Sequence, residues 1–248
     1  MEIRQLLLLG AVGIAAGWLN VMAGGGSLLT VPVMLFMGVP GPVANGTNRI
    51  AILAQNISAV TAFRRRGFSD FRLSLSLSFA ASVGALGGAS VGVNLSGEWF
   101  DRVLAAVMIL VMILMATGRD KVKATETGSA PRNLFLGHVL MVGAGFWGGF
   151  IQIGVGFILM PILHRVLGLD LIRVNMHKVF IVLVYTIVAL LVFASQVELL
   201  WLTGAALAVG NATGGWLGAH TTIKRGETLI RRVLYAALSV FIIKLLFF

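Results

Sequence analysis

The chain contains no cysteine, which excludes disulfides, thiolate metal sites and redox-active thiols. Acidic residues are also scarce. Nine Asp and Glu stand against nineteen Lys and Arg, a formal net charge of +10. Those nine lie in loops or at expected helix ends, and no catalytic carboxylate pair is visible among them. No G-x-x-x-x-G-K-[ST] loop is present, so ATP is not bound through a P-loop. No H-E-x-x-H or Cys/His cluster suggests a metal. The run Gly24-Gly25-Gly26-Ser27 is not a nucleophile elbow, because Leu28 and Leu29 follow the serine. These absences argue against an enzyme and against a resident cofactor or metal.

What the chain has in abundance is apolar surface. Of its 248 residues 58% are hydrophobic and only 11% are charged. Long apolar runs recur at Val103–Gly118, Val179–Ala194 and Val233–Phe248. With their flanks, each approaches the ~20 residues that cross ~30 Å of hydrocarbon. The solvent is therefore lipid, and the expected fold is an all-α, polytopic helical membrane protein. The cations sit in short clusters between apolar spans: Arg64-Arg65-Arg66, Lys121 and Lys123, Lys224-Arg225, Arg231-Arg232. That placement follows the positive-inside rule and argues against a nucleic-acid partner. The first apolar segment reads as retained rather than as a signal peptide, because Glu2 weakens a positive n-region and the next segment is itself apolar.

About ten apolar segments fall into two sets of five. The first set covers roughly 5–22, 27–39, 43–63, 71–94 and 99–118, and the second 134–151, 155–168, 174–194, 199–221 and 229–248. The expected organisation is a first transmembrane repeat at 1–118, a cytoplasmic linker at 119–133 and a second repeat at 134–248. Residues recur in register, the scarce Pro and Asn among them: Gly25 and Pro32 with Gly154 and Pro161, Asn45 with Asn175, Gly87-Gly88 with Gly214-Gly215. The loop charges reverse between the sets. Arg64-Arg65-Arg66 follows the third segment of the first, whereas Ser195-Gln196-Val197-Glu198 follows the third of the second. Opposite orientation of the copies is the inverted-repeat plan of many secondary transporters. The second segments are short for a crossing, so each first pair reads as a broken helix or a re-entrant hairpin.

The breaks mark the candidate site. Asn20-Val21-Met22-Ala23-Gly24-Gly25-Gly26-Ser27 interrupts one apolar stretch. Gly149-Phe150-Ile151-Gln152-Ile153-Gly154-Val155-Gly156 interrupts its counterpart. Unpaired backbone in lipid costs several kcal/mol per group, so such breaks are tolerated only under protein cover or beside a wet cavity. Helices restarting at Ser27 and Gly156 would turn free N–H groups toward an anion, with Asn20, Ser27 and Gln152 as further donors. The competing reading of these glycines is close helix packing.

The third segments add charge. One carries Asn45-Gly46-Thr47-Asn48-Arg49, the other Asn175-Met176-His177-Lys178. Polar residues continue deeper, Gln55-Asn56 aligning with Tyr185-Thr186. Each copy thus places a cation, Arg49 or Lys178, in the first turns of its third helix. Intramembrane cations mark substrate paths, with snorkelling to an interface as the rival account. His177 has the chemistry to exchange a coupling proton near neutral pH. The expected substrate-binding set is Asn20, Gly24, Gly25, Gly26, Ser27, Asn45, Thr47, Asn48, Arg49, Gln152, Gly154, Gly156, Asn175, His177 and Lys178.

Ala16-Gly17 through Ala23-Gly24-Gly25-Gly26-Ser27-Leu28-Leu29-Thr30-Val31-Pro32 resembles the opening motif of the TauE/SafE (sulfite exporter-like) permeases. Ala44-Asn45-Gly46-Thr47-Asn48 resembles their next motif, and Gly148-Gly149 through Pro161, with Asn175 and Lys178, their second-half motifs. The second glycine run departs from the family pattern at Ile153 and Val155. The resemblance implies transport of a small sulfur-containing anion, sulfite or an organosulfonate such as sulfoacetate, across the bacterial inner membrane. The half-helix N-termini with Arg49 and Lys178 favour an anion independently, and inverted repeats favour alternating access. An anion channel, and further off a membrane-embedded enzyme, are the alternatives.

Overall fold

The computed structural model describes residues 3–95 and 131–247, with Trp99, Arg102, Val103 and Ala106 between them. Beyond Lys224, only the side chain of Leu229 is described. Most of the expected fifth segment, 99–118, and of the linker lies outside the described residues. What is described is helical. The elements are α1 (Ile3–Ala23), α2 (Ser27–Phe36), α3 (Gly41–Arg65), α4 (Phe71–Gly92), α5 (Leu134–Phe150), α6 (Val155–Pro161) with a π-turn Ile162–Val166, α7 (Leu171–Gln196) and α8 (Trp201–Phe247).

Local signals place the ends. Asp70 caps α4 by accepting from the backbone N–H of Leu73, and Asp170 caps α7 through Ile172 and Arg173. Arg64 and Arg65 sit in the last turn of α3, where cations favour the negative end of the helix dipole. The helix breaks fall where the sequence predicts them, at Gly24–Gly26 and 151–154. Gly24 (φ +88°) and Gly154 (φ +70°) adopt the left-handed conformation that favours glycine. At ten residues, α2 extends only about 15 Å and is too short to cross hydrocarbon.

One expectation is corrected. The second set does not close with two segments, because α8 runs unbroken from Trp201 to Phe247, 47 residues, through Lys224-Arg225-Gly226-Glu227. That stretch lacks proline. Its charged residues are good helix formers and its lone glycine costs only about 1 kcal/mol.

The packing is that of a protein in lipid. Along α4 the outward residues are large and apolar: Leu75, Phe79, Val83 and Leu86, with Phe79 73% exposed. Its inward residues are Ser74, Ser78, Ala81, Ala85 and Gly88. Small residues let backbones approach where no water drives helices together. Gly84, Gly88 and Gly92, spaced by four, lie against the backbone of α5 at Val142, Phe146 and Phe150. Gly13 and Gly17 of α1 lie against α8 around Asn211. The pairings are reciprocal: α1 packs on α8 and α4 on α5, while α3 packs on α8 and α4 on α7. Among the described residues α1, α4 and α7 are long and apolar enough to span a membrane, and the chain is a multi-pass membrane protein.

Candidate functional site

The two glycine breaks meet. Gly24 and Gly156 stand backbone to backbone, so closely that a Cβ on either would overlap the other's main chain. Gly26 is likewise pressed against the carbonyl of Ala16 and the Asn20 side chain. A cavity of about 10 Å³, room for about one water molecule, opens beside this crossing. Its polar walls are Asn20 from α1, Ser27 from α2, Gln55 and Asn56 from α3, Gln152 from the second break and Lys178 from α7. Both halves of the chain therefore contribute to one buried polar space.

The cations are tied to backbone. Lys178 Nζ donates to the carbonyl of Val21 and to Asn175 Oδ1, each at 2.8 Å. Val21 lies in the last turn of α1, where carbonyls lack helical partners. Arg49 donates through Nη1 to the carbonyl of Gly148 (2.9 Å) and to Gln152 Oε1 (3.0 Å). Its Nη2 donates to the carbonyl of Gly149 and, at 3.5 Å, to Asn45 Oδ1. Gly148 and Gly149 occupy the last turn of α5. Each third-helix cation thus closes the end of the broken helix in the other half. A positive charge there also opposes the helix dipole. The guanidinium lies 4.4 Å from the centre of the Phe193 ring. Neither cation has a carboxylate partner among the described residues, whereas Arg173 of the same helix as Lys178 lies 3.6 Å from Asp70.

Secondary bonds hold the walls. Asn20 Nδ2 donates to Gln55 Oε1 (3.1 Å), and the N–H of Gly26 reaches Asn20 Oδ1 (3.4 Å). Asn48 accepts from Thr30 Oγ1 (2.7 Å) and donates to Ser27 Oγ (3.2 Å). Asn45 donates to the carbonyl of Phe150 (2.9 Å). Gln152, a non-glycine at φ +64°, holds a left-handed turn while its side chain joins Arg49 to the hydroxyl of Tyr185. Such backbone costs about 1–3 kcal/mol and persists only where its surroundings over-determine it.

Of the expected set, Asn20, Ser27, Gln152, Gly156 and Lys178 line the cavity. Asn48, Arg49 and Asn175 stand one bond behind it, and Asn45 a further bond back through Arg49. Gly24 and Gly26 are pressed into the crossing, a Cβ on Gly25 would meet the ring of Phe157, and Gly154 sets the second turn. Two members face elsewhere. Thr47 Oγ1 accepts from the N–H of Leu200 at the start of α8, and His177 bonds Ser74 on α4. With seven residues, α6 offers little dipole to an anion, so the donors there are side chains. Gln55 and Asn56 are wall residues absent from the expected set. Their signal was two adjacent amides continuing the polar residues of α3 deeper into the helix.

Helices with apolar outer faces, two of them broken around a buried polar cavity, define the class of polytopic membrane transporters. Residues 9–245 match the family described as Sulfite exporter TauE/SafE, and the chain belongs to that family. It is 27% identical to the probable membrane transporter protein YfcA of Escherichia coli (strain K12), over 97% of this chain and 90% of the relative. A probable membrane transporter protein of Haemophilus influenzae is 25% identical over 92% of this chain and 89% of its own length. One from Xylella fastidiosa (strain 9a5c) is 26% identical, with 94% and 92% covered. No solved structure matches the chain. The family is one of membrane transporters rather than enzymes.

Proposed function

We propose that the chain carries a small sulfur-containing anion, sulfite or an organosulfonate such as sulfoacetate, across the bacterial inner membrane by alternating access. The substrate site is the cavity walled by Asn20, Ser27, Gln55, Asn56, Gln152 and Lys178. One observation carries the reading: the ammonium of Lys178 is buried on that wall with no carboxylate partner among the described residues. A buried charge needs a counter-charge, and an anion supplies it. Two neighbouring buried donors, Arg49 Nε and Asn175 Nδ2, also lack an acceptor. The sulfur is suggested by the family description alone.

The halves 1–118 and 134–248, joined by the linker 119–133, are inverted repeats in this reading. The exchange of cations between them supports it: Arg49 closes the broken helix of the second half and Lys178 that of the first. A cavity of one-water size is then the occluded state, which rocking of one half against the other opens to either side. Purified protein melted with sulfite, sulfate, thiosulfate, organosulfonates and carboxylates tests the substrate class. The expected result is a rise in melting temperature with one or more sulfur oxyanions and none with carboxylates. Saturable uptake with counterflow in proteoliposomes supports a carrier, and flux without either marks a channel.

A further inference from the structure

A second cavity, of about 370 Å³, lies between α3, the 66–70 loop, α4 and α7. Its walls are mostly apolar, but Arg64, Ser69, Asp70 and Ser74 line it too. The Arg64–Arg66 loop beside it is the positive one, which by the positive-inside rule puts this vestibule on the cytoplasmic side. His177 stands behind the Asp70–Ser74 wall. Its side chain is fully buried, and its Nδ1 is 2.8 Å from Ser74 Oγ. Its Nε2 has no hydrogen-bond partner and lies 4.0 Å from Asp70 Oδ2. The next residue, Lys178, faces the inner cavity. One step along α7 therefore separates the vestibule from the proposed substrate site.

We propose that His177 is a reversible proton-binding site, fed from the vestibule through Asp70, that makes transport proton-linked. The proposal deepens the transporter reading and rests on it for the coupling. Uptake at Nε2 requires the neutral ring to carry its proton on Nδ1, toward Ser74 Oγ, leaving the unpartnered Nε2 as the lone pair. A proton entering from vestibule water is relayed by the Asp70 carboxylate to Nε2. The new N–H⁺ then faces the restored carboxylate, and loss of the proton reverses the step. The charged groups acting on the ring are Asp70 from the loop before α4, and Arg173 and Asp170 from its own helix. From α3, Arg64 lines the same vestibule. Arg173 itself pairs with Asp70 at 3.6 Å, so the carboxylate is shared between a permanent cation and a titrating one. Protonation of His177 adds a second positive charge beside Lys178, which draws an anion into the inner cavity.

The test uses full-length protein labelled with ¹⁵N-histidine in detergent. The chain has four histidines, and His177→Gln identifies the signal by its loss. If that variant does not fold, Ser74→Ala supplies the assignment by shifting the one ring it touches. The His177 signal is followed from about pH 8 down to about pH 4 and is expected to change reversibly. Asp70→Asn is expected to lower its midpoint by at least about half a unit, because an opposite charge is lost. A signal that does not change with pH, or a midpoint unmoved by Asp70→Asn, overturns the proposal. Coupling is read in proteoliposomes with methanesulfonate, whose charge is constant over this range. An imposed pH gradient should drive its accumulation by the parent, and His177→Gln should lower accumulation to the level seen without a gradient. Equal gradient-driven accumulation by both overturns the proposal. No methanesulfonate movement by the parent counts against that substrate, and the titration then decides the proton site alone.

Discussion

Lys178 reaches from α7 to the carbonyl of Val21, 2.8 Å away in the last turn of α1. The two residues are 157 positions apart, so the bond joins the start of the chain to its second half. It gives the ammonium two tasks, closing a broken helix and lining the inner cavity. The predicted consequences follow from separating these tasks.

Lys178→Met keeps most of the length and removes the charge. The expected loss of anion affinity is at least about tenfold, or about 1.4 kcal/mol. Because the Val21 carbonyl also loses its donor, the melting temperature should fall with it. Lys178→Arg should retain part of both, since the charge survives in a different shape. A folded Lys178→Met that binds the stabilising anion as tightly as the parent would exclude the cation from the site.

Arg49→Met should act on stability more than on binding. It strips donors from the carbonyls of Gly148 and Gly149 and from Gln152, all in one place. We expect at least about 3 kcal/mol of destabilisation, read as an earlier thermal transition in detergent. Arg49→Lys should restore only part of it, because one ammonium does not span a fork of acceptors.

The glycine crossing can be tested against an internal control. Gly156→Ala places a methyl into the backbone of Gly24 and should open the crossing, with loss of anion binding. Gly143→Ala, on α5, meets nothing within 4 Å and should leave folding and binding as in the parent. Equal behaviour of the two variants in binding and melting would remove the crossing from the site.

Topology is accessible through single cysteines, since the chain has none of its own. Ser69 and Gln196 are both exposed at the ends of helices. A cysteine at Ser69 should resist an impermeant maleimide on whole cells, and one at Gln196 should react. Labelling of both from the same side would end the inverted-repeat reading.

Residue chemistry alone disclosed the solvent, the helical class and the two breaks. Hydropathy over a span and a run of helix breakers act locally, so Gly24–Gly26 and 151–154 were legible without a fold. The same reasoning misjudged the C-terminal region. It divided α8 at Lys224-Arg225-Gly226-Glu227, where charge suggested a loop but helix propensity was strong enough to continue. It also grouped Thr47 and His177 with the cavity and left out Gln55 and Asn56. Adjacent helical residues point about 100° apart, so being next to Asn48 or Lys178 says little about facing the same space.

The sequence by itself determined that this is a multi-pass chain with two broken helices and one cation early in the third helix of each half. Only the tertiary structure decided what those cations hold. Arg49 meets Gly148 and Gly149 about a hundred residues away, and Lys178 meets Val21 across a still longer separation. Such contacts depend on how helices rotate and how closely glycines let them approach. Those are properties of packed pairs, and no single segment encodes them.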